Sequence, residues 1–127
     1  MSPSARSLAA ALAPLAGAQN LVVFGDSLSD TGNNNLKATY TGADGKLGSL
    51  YDEIIAQRLG SQLTPSTQGG SNYAYSGGVA NGAFASPAVP KQALQLQVDE
   101  YVASGKVDPN ALHIVWGGGN DLAAILT

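Results

Sequence analysis

The sequence contains no cysteine and one histidine, and these two scarcities exclude several kinds of site. Without thiols the chain forms neither a structural disulfide nor a thiolate metal centre. With His113 alone it has no histidine-rich metal cluster. We therefore expect no metal and no other cofactor. The absence of cysteine does not by itself assign a cellular compartment.

Charge is also scarce, since only 12% of the residues are charged and the net charge is −3. No basic stripe is present to neutralise phosphates, so nucleic acid is excluded as a partner. No block of like charges indicates an acidic tail or a membrane-surface helix. The 127 residues, 44% of them hydrophobic, suffice for one small globular domain.

The N-terminal residues carry the parts of a secretory signal peptide. Arg6 precedes the alanine-rich apolar run Leu8–Ala16, and an A-x-A site follows at Ala16–Ala18. We expect residues 1–18 to be a signal peptide and residues 19–127 to form the domain, which would make the protein secreted, periplasmic or bound to the bacterial cell surface. An alanine-rich helix or an unstructured leader is the alternative, because Pro14 interrupts the run.

Apolar runs and helical periodicities alternate along the rest of the chain. The predicted elements, in order, are a strand at Leu21–Phe24, a helix at Leu50–Leu59 capped by Ser49 and ended by Gly60, a short strand within the loop-rich segment Ser61–Ala88, a helix from Pro90 to a stop at Gly105, a strand at Leu112–Trp116 and a helix starting near Leu122. The apolar spacing predicts one buried face on each of the first two helices: Leu50, Ile54, Ile55 and Leu59 on the first, and Leu94, Val98, Tyr101 and Val102 on the second. This alternation predicts an α/β fold with a mainly parallel sheet covered by helices.

Polar, glycine-containing segments follow each predicted strand. They are Gly25-Asp26-Ser27, Ser76-Gly77-Gly78 and Gly117 to Asp121. Because ligands bind beyond the carboxyl ends of parallel strands, all three segments are expected at one edge of the sheet. Taken alone, Ser27 is better explained as a helix cap than as a nucleophile, because serine and aspartate are common cap residues.

The three segments together suit attack by a serine on an ester carbonyl, which creates an oxyanion that fixed hydrogen-bond donors stabilise. The backbone N–H groups of Ser27 and Gly77 and the side-chain amide of Asn120 are suitable donors. Glycine suits the second position because it lets a substrate approach the backbone closely. Asp26 and Asp30 are either a metal or acid–base pair or, as we favour, local hydrogen-bond anchors of the turn.

The blocks FGDSLSDTGN, NYAYSGG and GGGND, in that order, resemble the first three sequence blocks of the GDSL (SGNH) lipase/esterase family. The resemblance extends over about Leu21 to Thr127 and is shared with secreted bacterial members, including passenger domains of autotransporter esterases. It implies Ser27 as the nucleophile, with Ser27, Gly77 and Asn120 forming the oxyanion hole. It also implies a three-layer α/β/α sandwich of the SGNH-hydrolase, flavodoxin-like type, acting on a small-molecule or lipid ester.

The fourth block of that family, Asp-x-x-His, has no match in this sequence. A serine nucleophile needs a base, and His113 lies within a predicted strand with the wrong spacing. The resemblance thus implies an N-terminal portion of an esterase domain, incomplete at its C-terminus and impaired or inactive alone. We expect a missing C-terminal segment or an autotransporter domain as its partner, or self-association. A non-catalytic module that keeps the ester-binding edge is the alternative.

Overall fold

The computed structural model describes residues 20–127, so the signal peptide predicted over residues 1–18 lies outside the described residues and stays a prediction. Strands and helices alternate in the predicted order. The elements are β1 (Leu21–Gly25), α1 (Tyr51–Arg58), α2 (Leu94–Ala103), β2 (Leu112–Trp116) and α3 (Gly119–Leu126), with short 3-10 helices at Ser66–Gln68, Gly82–Phe84 and Pro90–Gln92.

β1 lies between β2 and a short extended segment. It pairs in parallel with β2 along its whole length. On its other side Val23 forms an isolated parallel bridge with Asn72. The Val23 N–H donates to the Ser71 carbonyl at 3.1 Å, and the Tyr73 N–H donates to the Val23 carbonyl at 2.8 Å. The predicted short strand is therefore present as one bridge with flanking hydrogen bonds, and β1 is central.

Both faces of β1 are buried because successive side chains point to opposite sides of the sheet. Val23 packs in a cluster with Ala56 of α1. Phe24 packs in a second cluster with Tyr101 of α2, the two ring centroids lying 5.7 Å apart. The helices thus cover opposite faces of a parallel sheet, which confirms the predicted three-layer α/β/α fold.

Helix α1 agrees with the predicted bounds, since Leu50 and Leu59 are its two cap residues. The predicted Ser49 cap is wrong. The helix instead begins after Leu50, whose N–H donates to the Glu53 carboxylate at 2.9 Å. A glutamate three residues into a helix satisfies an amide at its N-terminus in this way. Gly60 adopts the left-handed conformation (φ +74°) that the sequence predicts just beyond the helix.

The buried face of α1 differs from the predicted one. Ile54, expected inside, is 47% exposed, whereas Asp52 and Ala56 are buried. Burial raises the pKa of the Asp52 carboxyl from 3.8 to about 7, and the negative charge of Glu53 adds to the rise. Backbone hydrogen bonds and the positive charge of Lys37 oppose this rise without cancelling it.

Stability should therefore depend on the protonation of Asp52. Below about pH 4 the carboxyl is protonated in the folded and in the unfolded state. Between about pH 4 and 7 the unfolded state loses the proton and the folded state keeps it, so the free energy of unfolding falls as pH rises. We expect wild type to lose about 1–2 kcal/mol between pH 5.5 and pH 8 in urea denaturation.

Asp52→Asn should abolish that loss, because the amide does not ionise. Asp99→Asn is the matched control, since it removes an exposed helical carboxyl. This control should keep the pH dependence of wild type. An Asp52→Asn variant with the same pH dependence as wild type would show that the buried carboxyl does not control stability.

Strand β2 and helix α3 expose apolar side chains at this edge of the sheet. Large hydrophobic side chains there are 48–77% exposed: Val115, Trp116, Leu122, Ile125 and Leu126. Within residues 20–127, β2 pairs with β1 alone. No helix in that range has the length and apolar character needed to cross a membrane.

Candidate active site

Ser27 follows β1 directly and lies in a tight turn. The Asp26 carbonyl accepts hydrogen bonds from the N–H groups of Ser29 and Asp30, both at 3.0 Å. The Asp26 side chain accepts from the Leu28 N–H at 3.0 Å, so it is a local anchor as expected. The chain continues from this turn into a loop, and Ser27 caps no helix there. Ser27 is half-buried and lies beyond the carboxyl end of the central strand.

Gly77 and Gly78 lie against the same strand end. The Tyr75 N–H donates to the Gly25 carbonyl at 3.1 Å, which brings this segment onto β1. A Cβ on Gly78 would overlap the Gly25 carbonyl oxygen and lie 3.0 Å from the Asp26 Cα. Gly77 has a φ of +86°, a conformation in which residues with side chains are strained. Glycine is therefore required at both positions by the backbone itself.

Asn120 and Asp121 join the first turn of α3 to this glycine segment. The Asn120 side-chain amide donates to the Gly78 carbonyl at 2.9 Å, and its second N–H remains available to another acceptor. The Asp121 carboxylate accepts from the N–H groups of Ala80 and Asn81 at 2.8 and 2.7 Å. These two hydrogen bonds lower the pKa of Asp121. The structure thus brings the three polar segments together.

Two backbone donors at this meeting point are not engaged within residues 20–127. There, neither the Ser27 N–H nor the Gly77 N–H donates a hydrogen bond, and the Ser27 hydroxyl has no partner. Donors that are already fixed and unpaired are what a developing oxyanion requires. The roles of Ser27, Gly77 and Asn120 in such a site stay predictions.

The Asp30 carboxyl group holds the Ser27 turn and the glycine segment together. It is fully buried and accepts from the backbone of Gly32 at 2.9 Å, Asn33 at 2.6 Å and Asn34 at 3.3 Å. It also accepts from the Ser76 N–H at 2.8 Å and the Ser76 hydroxyl at 3.2 Å. Asp30 is therefore a local anchor, as predicted, and in addition a long-range one. No metal-binding cluster of acidic residues or histidine occurs in the described range.

Asn72 also holds the Ser27 turn in place through hydrogen bonds. Its buried amide donates to the Ser29 carbonyl at 2.7 Å and to the Thr31 hydroxyl at 3.0 Å, while its oxygen accepts from the Ala74 N–H at 3.0 Å. Its function in holding the turn was not predicted.

His113 lies away from Ser27. Its Nε2 is 3.2 Å from the Tyr101 hydroxyl, and it pairs with Val22 in the sheet. Val22 precedes Gly25 by three residues, about 10 Å along a strand. His113 is therefore not placed to act as the base for Ser27.

Aromatic side chains lie beside Ser29 in the Ser27 turn. The Tyr51 hydroxyl is 2.8 Å from the Ser29 Oγ, and its ring centroid is 5.3 Å from that of Trp116. Burial raises the pKa of the Tyr51 phenol above its usual value. Tyr73 lies away from these residues and is buried against Phe24 in the core.

Asp30→Asn tests the link between the two loops. The amide group would turn N–H donors toward backbone N–H groups that now bond to the carboxyl, so we expect a loss of about 2–3 kcal/mol in the free energy of unfolding, measured with urea. Asp44→Asn is the control, because Asp44 is exposed and accepts one local N–H, from Lys46. Equal, small effects of the two substitutions would contradict the proposed importance of Asp30.

Comparisons with known proteins show the family of this chain. A family model described as GDSL-like Lipase/Acylhydrolase matches residues 21–126. "Lipase 1" of Photorhabdus luminescens is 44% identical over 109 residues, which are 84% of this chain and 16% of that protein. The chain thus spans about one sixth of the length of this curated relative. The match extends over nearly all of the described residues, and the chain belongs to the GDSL-like lipase/acylhydrolase family.

Proposed function

We propose that this chain carries the nucleophile and the oxyanion hole of a serine ester hydrolase acting on carboxylic or lipid esters. The observation that supports this most is the meeting of Ser27, Gly77 and Asn120 at one strand end. Gly78 lies against Asp26, and Asn120 donates to the Gly78 carbonyl. Family membership and the lipase name of the relative support ester hydrolysis in general.

In this proposal the Ser27 Oγ attacks the ester carbonyl carbon, and its proton passes to a base. The carbonyl oxygen becomes an oxyanion that accepts from the Ser27 N–H, the Gly77 N–H and the Asn120 amide. The tetrahedral intermediate collapses to an acyl-serine, and the leaving oxygen takes the proton back from the base and departs as the alcohol. Water, which loses a proton to the same base, then attacks the acyl-serine and releases the acid and free Ser27. Each oxyanion donor contributes about 3 kcal/mol to stabilisation of the transition state.

The base is the missing component. The one histidine of the sequence lies against Tyr101, and no Asp-x-x-His block occurs in the sequence. We therefore propose that the isolated chain is impaired in hydrolysis. The second candidate, a non-catalytic module that retains the ester-binding edge, is favoured by this same position of His113.

Covalent labelling by a fluorophosphonate distinguishes the two candidates. Such a probe reacts with an activated serine, and imidazole added in solution can replace the absent base. We expect slow labelling of the purified chain, located at Ser27 by peptide mapping, and a clear acceleration by imidazole.

Ser27→Ala should abolish the label, whereas Ser61→Ala, a substitution of a serine outside the site, should leave it unchanged. Absence of the label with imidazole present would favour the non-catalytic module. Robust hydrolysis of p-nitrophenyl acetate by the chain alone, abolished by Ser27→Ala, would contradict the proposed impairment.

We also propose that the apolar surface of β2 and α3 is covered in the functional protein. Further polypeptide or an autotransporter domain is one occupant, and a second copy of the chain is the other. Contiguous exposed apolar side chains favour association in water. The exposure of Trp116 (48%) and Ile125 (68%) supports this proposal.

Sedimentation velocity at micromolar concentrations tests whether these exposed apolar side chains cause the chain to self-associate. We expect the isolated chain to sediment as dimers or larger species, and Ile125→Lys to shift it toward the monomer. Val102→Lys is the control, since Val102 is a similarly exposed residue on α2 (62%) outside this surface. A wild-type chain that stays monomeric would contradict self-association.

A further inference from the structure

Gln97 is a fully buried polar side chain on α2 that the apolar pattern of the helix does not explain. The sequence places Leu94, Val98 and Tyr101 on the buried face and assigns no function to Gln97. A primary amide is buried without large loss only when its donors and acceptor are satisfied. The partners of this amide therefore show what it does.

All the hydrogen bonds of Gln97 are made to backbone groups, and two of them to the same residue. The Gly25 N–H donates to the Gln97 Oε1 at 2.8 Å, and the Gln97 Nε2 donates to the Gly25 carbonyl at 2.9 Å. The Nε2 also donates to the Lys91 carbonyl at 2.9 Å. The side chain thus pairs with Gly25 as a neighbouring strand would.

This pairing occurs where the ladder beside β1 is interrupted. Val23 exchanges hydrogen bonds with Ser71 and Tyr73 in the parallel pattern. In that pattern the Gly25 N–H would donate next to the Tyr73 carbonyl. It donates to Gln97 instead, so Gln97 replaces one bond of the ladder at the last residue of β1. The next two residues are Asp26 and Ser27.

The segment that carries Gln97 also holds the glycine loop. The Gln92 amide donates to the Ser76 carbonyl at 3.3 Å. The Val79 N–H donates to the Gln92 carbonyl at 2.7 Å, and the Leu94 N–H donates to the Val79 carbonyl at 3.0 Å. One continuous segment, Pro90–Gln97, therefore contacts the strand before Ser27 and the residues on both sides of Gly77.

We propose that Gln97 is a positioning residue that fixes the end of β1 and thereby the separation between the Ser27 hydroxyl and the Gly77 N–H. The inference rests on the proposed esterase function. Gln97 touches no reacting atom and acts through the Gly25 backbone. Its contribution is to pair the Gly25 N–H, the one group at the strand end that lacks its ladder partner, while the Tyr75 N–H still donates to the Gly25 carbonyl.

Gln97→Glu distinguishes a hydrogen-bonding function of Gln97 from simple space filling, because its hydrogen bonds to Gly25 should depend on pH. A protonated glutamic acid can accept from the Gly25 N–H and donate to the Gly25 carbonyl, as glutamine does. An ionised glutamate places a second acceptor against the Gly25 and Lys91 carbonyls, which repel it. The variant should therefore hold the strand end at low pH and release it at high pH.

The experiment is amide hydrogen exchange by NMR on the full chain at pH 5 and pH 8, expressed as protection factors. For Gln97→Glu we expect Gly25 protection equal to that of wild type at pH 5 and about tenfold below that of wild type at pH 8. Protection of Ile114 in β2 should equal that of wild type at each pH, because both proteins share the pH dependence of global stability that comes from Asp52. Gln97→Leu should lose Gly25 protection at both pH values. Gln95→Glu, which adds the same charge at an exposed position of α2, should behave as wild type.

Ser27 labelling by the fluorophosphonate, with imidazole, is measured on the same samples and should fall with Gly25 protection. Unchanged Gly25 protection in Gln97→Glu at pH 8, or a loss spread equally over β1, β2 and α1, would overturn the positioning role. If Gln97→Leu does not fold, the comparison of Gln97→Glu at the two pH values still tests whether Gln97 holds the strand end. A wild-type chain that is never labelled would refute the esterase function, while the exchange result separately decides whether Gln97 holds the strand end.

Discussion

The candidate site depends first on the buried carboxyl group of Asp30. A carboxyl without exposure to water is tolerated only when its oxygens are fully hydrogen-bonded. Its donors come from Gly32, Asn33 and Asn34 on one side and from Ser76, more than forty residues later, on the other. Only one relative placement of the two loops satisfies all of them. The Ser27 turn and the glycine loop are consequently held in one relative position by folding itself.

The other contacts extend the same principle to the remaining parts of the site. Gln97 holds the last residue of β1, and Asp121 holds the loop after Gly78 against α3, which carries Asn120. Each contact joins a side chain to backbone groups of a distant segment. Backbone donors held in this way need no reorganisation when charge develops on a substrate. The site is thus a product of the packing of the whole domain and not of a single motif.

The sequence predicts the parts of this arrangement that leave a local signal. Apolar runs gave both strands, periodicity gave α1 nearly to the residue, and parallel strand ends placed Ser27, Gly77 and Asn120 at one edge. The contacts of Gln97, Asp121 and Ser76 could not be predicted in this way, because hydrogen bonds between residues far apart in the chain produce no periodic pattern. The buried face of α1 carries Asp52 and Ala56 and leaves Ile54 exposed, because tertiary packing, and not helical hydrophobicity, decides which face is buried.

The central claim is that three separate segments form one oxyanion hole around the Ser27 hydroxyl. The most direct measurement is the crystal structure of the chain after phosphonylation of Ser27, since the phosphoryl oxygen takes the place of the oxyanion. We predict this oxygen at about 2.7–3.1 Å from the Ser27 N, the Gly77 N and the Asn120 Nδ2. A phosphoryl oxygen that points to solvent, without contact to Gly77 or Asn120, would contradict the account.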